Sequence, residues 1–157
     1  MPSLKRHVVE GDARGKTIAA LQACLVDLID LSLQGKQAHW NVVGPHFTPI
    51  HELLDAIVDT AREASDEVAE RIVTLAEPAD GLVTTVAEKS RLAAYPTGLQ
   101  PDAATVTLVA DRLKTVIEGL RTSIEVTGET DPISEDLLIG QTAELEKHLW
   151  MVQAQEA

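Results

Sequence analysis

Residues 51–70 carry two pairs of potential metal ligands within a stretch whose pattern is helical. His51 and Asp55 are four residues apart, and so are Asp66 and Glu70. Because an α-helix turns by about 100° per residue, the two members of each pair are neighbours on one face. The step from Asp55 to Asp66 makes about three turns, so both pairs occupy one sector of the helix. Imidazole and carboxylate groups together suit iron, zinc or manganese.

One copy of this helix cannot bring both pairs to the same ion. Asp55 and Asp66 are about 16 Å apart along the helix axis, whereas metal–ligand bonds are only about 2 Å long. If two copies of the helix cross antiparallel on a two-fold axis, each residue faces one residue of the other copy. The numbers of the two facing residues then always add to the same value. That sum is 121 for Asp55 with Asp66, and it is also 121 for His51 with Glu70. One two-fold axis at the middle of the helix therefore joins both pairs, twice.

Other features of this helix also favour a metal site between two copies. The two pairs lie roughly 140° from the centre of its apolar stripe, so they point away from the chain's own core. No Glu-x-x-His motif, which metal sites inside one bundle often use, occurs in the sequence. A close approach of two copies is predicted from four small residues near the crossing: Ala56, Thr60, Ala61 and Ala64. The alternative is an ordinary solvated helix, since any such helix shows charges opposite its apolar stripe.

The other histidines are expected to have other roles. His39 falls on the apolar stripe of the preceding helix, where a hydrogen-bonded core histidine is the ordinary interpretation. His46 lies in a loop and His7 lies near the N-terminus, so both are expected to be solvated. His148 stands beside Trp150 near the C-terminus and is interpreted as a packing or interface residue.

Composition favours a helical protein that binds cations. Apolar residues make up 45% of the 157 residues and aromatic residues only 3%, which suits packed helices. The formal net charge of −12 repels nucleic-acid phosphates and membrane headgroups. The N-terminus has no apolar signal-peptide region, and no segment approaches the roughly 20 apolar residues of a membrane helix. Cys24 is the single cysteine, so the chain has no internal disulfide and a reducing cytoplasm is predicted. Cys24 is expected to be a small buried apolar residue, with a reactive thiol as the alternative.

Four long helices are predicted, over about 16–40, 48–76, 102–126 and 131–152. Thr48 and Asp131 are expected to cap the second and fourth helices, each followed by proline, and Gly128 to end the third. The connection between the second and third helices has room for a short helix. The apolar stripe of the second helix consists of Leu54, Ile57, Ala61, Ala64, Val68, Ile72 and Leu75. These features predict one all-α domain over 1–157, with a four-helix bundle at about 16–152.

The segments "KQAHWNVVGPHFTPIHELLD" and "SDEVAERI" resemble the Dps family, the DNA-binding proteins from starved cells within the ferritin superfamily. The segment "DLLIGQTAELEKHLWM" is similar to the last helix of that family, and the likeness extends over about residues 16–152. The resemblance implies a ferritin-like four-helix bundle with a short helix between helices 2 and 3. It also implies a hollow homododecamer with two-fold and three-fold interfaces.

The resemblance implies a ferroxidase centre shared across the two-fold interface. The family's ligands map to His39, His51 and Asp55 from one subunit, with Asp66 and Glu70 from its mate. Trp40 corresponds to the family's tryptophan near that centre. Members of the family oxidise ferrous iron, preferring hydrogen peroxide to oxygen, and store the ferric product inside the shell, which protects against oxidative damage. Zinc and manganese are possible competitors for the same ligands.

The resemblance further implies an acidic pore at the three-fold axis, through which iron passes. Asp136, at the start of the last helix, matches the family's pattern best, and Asp131 and Glu135 are further candidates. Asp131 has the alternative role of a helix cap. Glu52 is expected to seed mineral on the inner wall.

Two other functions remain open at this point. One is a DNA-compacting structural protein with little ferroxidase activity, and the other is a helical assembly that binds zinc passively. Family members that bind DNA often use lysine-rich tails. The N-terminal segment instead mixes both signs of charge: Lys5, Arg6, Arg14 and Lys16 with Glu10 and Asp12. The C-terminal "MVQAQEA" has no basic residue.

We therefore expect weak or absent binding of duplex DNA at physiological salt and neutral pH. Few cations on a chain of charge −12 release few counterions from DNA, although repetition over many subunits raises avidity. An electrophoretic mobility-shift assay measures this. A complete shift of the duplex under those conditions would contradict the prediction.

Overall fold

The computed structural model describes residues 3–156, which form a bundle of four long helices with one short helix between the second and third. The elements are α1 (Gly11–Asn41), β1 (Val42–Val43), α2 (Phe47–Thr74), α3 (Val83–Lys89), β2 (Gln100–Pro101), α4 (Asp102–Thr130) and α5 (Pro132–Gln153). The predicted all-α four-helix bundle, with its short helix in the connection between the second and third long helices, is confirmed.

Two of the predicted helix ends are wrong for identifiable reasons, and the predicted start of α5 at Asp131 is right in position but lacks the expected capping hydrogen bond. His46 is the N-cap of α2, so Thr48 lies inside the first turn. Gly128 lies within α4, and its lack of a side chain makes room for the carboxylate of Glu135 from α5. Asp131 is at the N-cap position of α5, but its side chain makes no capping hydrogen bond. That carboxylate is used instead in an ion pair with Arg71.

The apolar faces of the helices meet in one core. Every residue of the predicted stripe of α2 is buried: Leu54, Ile57, Ala61, Ala64, Val68, Ile72 and Leu75. Full burial of a leucine or isoleucine side chain contributes about 1.5–3 kcal/mol. Cys24 of α1 is also buried, as predicted, and burial raises the pKa of its thiol to about 11. The thiol therefore stays protonated at neutral pH and acts as a small apolar side chain.

An ion pair between exposed Arg91 and buried Asp27 ties the long connection after α3 to α1. Asp27 is only 1% exposed, and it accepts hydrogen bonds from the backbone nitrogen of Arg91 at 3.0 Å and from its Nε at 2.7 Å. The Arg91 guanidinium lies over Gly119 of α4, where a Cβ would collide with it. Arg112 donates to two backbone carbonyls further along the connection. The connection from α2 to α4 is thus held in place by the side chains of Asp27, Arg91 and Arg112 as well as by apolar packing.

A second attachment holds the loop between α1 and α2. Strands β1 and β2 pair in parallel, which the sequence did not predict. The backbone nitrogen of His46 donates to Oδ2 of Asp102 at 2.8 Å, at the start of α4. Gly44, with φ +142°, leaves no room for a Cβ beside that carboxylate. This loop sets how the end of α1 meets the start of α2.

Within residues 3–156, α1 is the one helix long and apolar enough to cross a membrane by length and composition, with a mean hydropathy of 1.4 over its best window. The sequence analysis did not expect any such segment. Half of that window (50%) is buried in the bundle, because α1 packs against both α2 and α4. A core helix passes the same test, so the finding is weak evidence for a membrane span.

We expect Arg91→Ala to lower the free energy of unfolding by about 2–3 kcal/mol, because Asp27 remains buried without its cationic partner. Denaturant titration followed by circular dichroism measures the loss. The matched control is Arg121→Ala, which breaks the solvent-exposed pair with Glu146 and should cost about 0.5 kcal/mol. Equal losses for the two variants would show that the Asp27–Arg91 pair does not anchor the connection.

Candidate metal centre

Two histidines from different helices hold each other in place. The rings of His39, near the end of α1, and His51, near the start of α2, are stacked with centroids 3.6 Å apart and planes at 19°. Nδ1 of His39 lies 2.8 Å from the carbonyl oxygen of His51, and Nδ1 of His51 lies 2.9 Å from the carbonyl oxygen of His39. A carbonyl oxygen only accepts, so each Nδ1 carries the hydrogen. In the neutral rings Nε2 then keeps a free lone pair, the form that binds metal ions.

His39 has features of both interpretations that the sequence left open, a hydrogen-bonded core histidine and a metal ligand. His39 is 7% exposed and hydrogen-bonded, as a core histidine would be, and it also lies against a predicted ligand, His51. Phe47 packs on the other side of the pair, with its ring centroid 4.8 Å from that of His51. The adjacent Trp40 is 68% exposed, so it adds little packing within its own chain.

Asp55 follows one turn after His51 and is held ionised by neighbouring groups. Its Oδ1 lies 3.4 Å from Nδ1 of His39 and is in direct contact with the ammonium of Lys36. The hydrogen bond from Lys36 is the largest cause of a lowered pKa of Asp55. Burial acts in the opposite direction, and the nearby imidazoles also lower the pKa. The carboxylate is therefore charged at neutral pH, with its second oxygen available to a cation.

Lys36 is a neighbour of the predicted ligands that was not singled out from the sequence. It lies on α1, three residues before His39, and so on the same side of that helix. That spacing was the available signal. The ammonium balances the charge of Asp55 in this structure, so a cation that bound to the same carboxylate would have to compete with it.

Asp66 and Glu70 lie about three turns further along α2, and both are exposed. Within residues 3–156, no group of three or more His, Cys, Asp or Glu side chains is placed to hold a metal ion by itself. The structure thus brings His39, His51 and Asp55 into contact and leaves the other two predicted ligands apart. If these residues form metal centres, each copy can supply only part of each one.

Two of the four small residues expected at the crossing, Ala61 and Ala64, are buried in the chain's own core, so the expectation is wrong for them. The hydroxyl of Thr60 lies 2.8 Å from Nε2 of His148. Of the four, Ala56 alone is exposed. Ala61 and Ala64 follow the apolar stripe of α2, which points inward. His148 is itself buried against α2, and burial lowers its pKa.

The predicted pore residues occupy different environments at the start of α5. Asp131 is 4% exposed; Arg71 Nη2 donates to its Oδ2 at 2.7 Å, and the hydroxyl of Ser134 donates to the same oxygen. Burial alone raises the pKa of Asp131, but these hydrogen bonds outweigh it and the pKa falls below its ordinary value. Within one copy, Asp131 therefore joins α2 to the start of α5.

The remaining predicted acids are more accessible. Glu135 is partly buried against α4, whereas Asp136 is exposed. Glu52 is also exposed, near the N-terminus of α2. The roles of these residues in a pore and in mineral nucleation stay predictions.

Comparison with known proteins identifies the family. Residues 18–156 match the family model of the ferritin-like domain. The chain is 43% identical over 151 residues to the fine tangled pili major subunit of Haemophilus ducreyi, covering 94% of this chain and 80% of that protein. It is 40% identical over 136 residues to a DNA protection during starvation protein of Mycolicibacterium smegmatis, covering 85% and 73%. The solved structure of DpsA14 from Streptomyces coelicolor matches with a TM-score of 0.90 and 39% identity, covering 94% of this chain and 88% of that one.

We expect Lys36→Met to bind Co²⁺ roughly tenfold more tightly than the parent, because the competing positive charge on Asp55 is gone. Anaerobic isothermal titration of the assembled protein at fixed pH measures the affinity. Lys36→Arg keeps the charge and should stay within about twofold of the parent. Lys16→Met, which breaks a distant exposed pair with Asp12, is the second control. An unchanged affinity of Lys36→Met would show that Lys36 does not compete with the metal.

Proposed function

The chain belongs to the Dps family of ferritin-like proteins, and on that basis we propose that it stores and detoxifies iron at ferroxidase centres shared between two copies. The observation that carries this proposal is the pair of reciprocally hydrogen-bonded histidines beside an ionised Asp55. Their counterparts, Asp66 and Glu70, are exposed on the same helix and free to meet a second copy. Three features support this function: the family match, the incomplete ligand set within one copy, and the exposure of Asp66 and Glu70.

The substrates of the proposed reaction are ferrous iron and hydrogen peroxide, with oxygen as a slower oxidant. Two ferrous ions lose one electron each, and the two electrons break the O–O bond of one peroxide. The peroxide oxygens are reduced to the level of water and hydroxide. The ferric ions hydrolyse to hydrated oxide and release protons to the solvent. Because both electrons go to one peroxide, no hydroxyl radical is set free.

Each ligand has a chemical task in this reaction. Nε2 of His39 and Nε2 of His51 supply neutral donors whose direction is fixed by the Nδ1 hydrogen bonds. Asp55 of one copy, with Asp66 and Glu70 of the partner subunit, supplies negative charge that suits both the ferrous and the ferric ion. Lys36 gives up its contact with Asp55 when the substrate ion binds. The exposed Trp40 lies at the rim of this site.

The shell proposed for this chain is a cytoplasmic homododecamer with two-fold and three-fold interfaces. Iron would pass the three-fold pore at Asp136, and ferric mineral would begin at Glu52 on the inner wall. The exposure of both side chains supports these roles. DNA compaction is the second candidate function, favoured by the name of a relative, a DNA protection during starvation protein. The net charge of −12 makes it the weaker candidate.

We expect Asp66→Ala to oxidise ferrous iron roughly 10–100-fold more slowly than the parent, because each centre loses a carboxylate. The assay adds Fe²⁺ anaerobically, then peroxide, and follows ferric absorbance and the ratio of iron oxidised to peroxide consumed. Asp111→Ala removes an exposed acid from α4 and should leave the rate unchanged. Parental rates in an assembled Asp66→Ala protein would refute the proposed centre.

A further inference from the structure

The exposed face of α2 has a pair of opposite charges at its middle. Asp59 and Arg62 lie between the two ligand pairs, and both are exposed. In residues 3–156 neither side chain forms an ion pair or a hydrogen bond, and Arg62 uses only its backbone carbonyl, which accepts from the hydroxyl of Ser65 at 2.8 Å. The two charges are close in sequence, yet they have no partner within one copy.

These two residues obey the same numerical relation as the ligands. The residue numbers of Asp59 and Arg62 add to 121, as do those of His51 with Glu70 and of Asp55 with Asp66. In an antiparallel two-fold contact of α2 with a second copy, Asp59 of each chain therefore faces Arg62 of the other. Both residues lie within about 2–3 Å of the axis along the helix, so they occupy the centre of the contact.

Charge makes this pair necessary for the contact. Residues 51–70 contain seven acidic side chains, and Arg62 is the single lysine or arginine among them. Two such faces approaching each other bring Asp55 against an Asp66, and like charges at that distance repel. Lys36 of α1 already balances Asp55 within each copy, and among residues 51–70 two Asp59–Arg62 pairs are the groups that supply attraction before any iron is bound. A guanidinium also suits a carboxylate geometrically, because two of its N–H groups can donate to the two oxygens.

We propose that Asp59 and Arg62 form two reciprocal ion pairs with a second copy of this chain, and that these pairs set the register of the α2–α2 contact. The inference rests on the proposed function, which requires that contact. In this register Asp66 and Glu70 of the partner subunit reach His51 and Asp55. The iron-free protein therefore assembles its own centres, and the metal ion enters a site whose ligands are already in place.

Charge reversal tests the pair, with oligomeric state as the readout. Asp59→Arg and Arg62→Asp each place like charges at the centre of the contact, and each should raise the dissociation constant of the iron-free assembly at least roughly tenfold. The double variant Asp59→Arg/Arg62→Asp exchanges the charges and should restore assembly. Native mass spectrometry and analytical ultracentrifugation measure the species present, with circular dichroism to verify folding. Asp111→Arg, an equal charge change on exposed α4, should assemble like the parent.

Mixing separates pairs between copies from pairs within one helix. The Asp59→Arg chain carries two positive charges at the contact, and the Arg62→Asp chain carries two negative ones. Each should assemble more weakly than the parent when alone, whereas an equal mixture should assemble at the parental strength through unlike chains. No pairing inside one helix can explain such a rescue. Normal assembly of either single variant, or failure of the mixture to assemble, would overturn the inference.

The outcome also separates this inference from the proposed function. If the single variants assemble and oxidise iron like the parent, the Asp59–Arg62 pair is wrong and the shared centre stands. If the mixture rescues assembly but Asp66→Ala oxidises iron at the parental rate, the contact is right and the proposed ferroxidase centre is wrong.

Discussion

The rise of an α-helix decides how this protein can work. At about 1.5 Å per residue, α2 holds Asp66 and Glu70 about three turns away from the histidine pair at its own N-terminal end. No rotamer change closes that distance, and the chain within residues 3–156 offers no other group of ligands. A complete centre of the proposed kind therefore requires a second copy. The oxidation of iron at such a centre thus depends on assembly. The same distance explains why exposed acids remain opposite the apolar stripe of α2.

Much of the remaining structure serves to hold the half-centre rigid. His39 and His51 come from two helices, so their mutual hydrogen bonds depend on how α1 meets α2. That junction is held by the short β1–β2 pairing and by Asp102, which accepts from the backbone of His46. The pair between buried Asp27 and Arg91 fixes the connection after α3 against the middle of α1. Ligands placed by such supports need little rearrangement when a cation arrives.

The sequence predicted the features that depend on helical periodicity. The buried stripe of α2 and the exposure of Asp66 and Glu70 both follow from 3.6 residues per turn, and the contact partners on opposite ends of the helix stay a prediction. It failed where tertiary neighbours decide. Gly128 was taken as a helix end because its packing against Glu135 could not be foreseen. Asp131 is the N-cap of α5 as predicted, but its pairing with Arg71, distant in sequence, could not be foreseen either. Lys36 was missed because its meaning depends on Asp55 in the next helix.

The central claim, that ligands from two copies make one centre, is tested most directly by mixing two inactive proteins. One carries His51→Ala/Asp55→Ala and the other carries Asp66→Ala/Glu70→Ala, and the two are assembled together in equal amounts. In a mixed pair, one of the two centres receives all its ligands from unaltered halves. Random pairing should restore roughly a quarter of the parental rate of iron oxidation by peroxide, while each protein alone stays inactive. A mixture that assembles but remains as inactive as its components would contradict the shared centre.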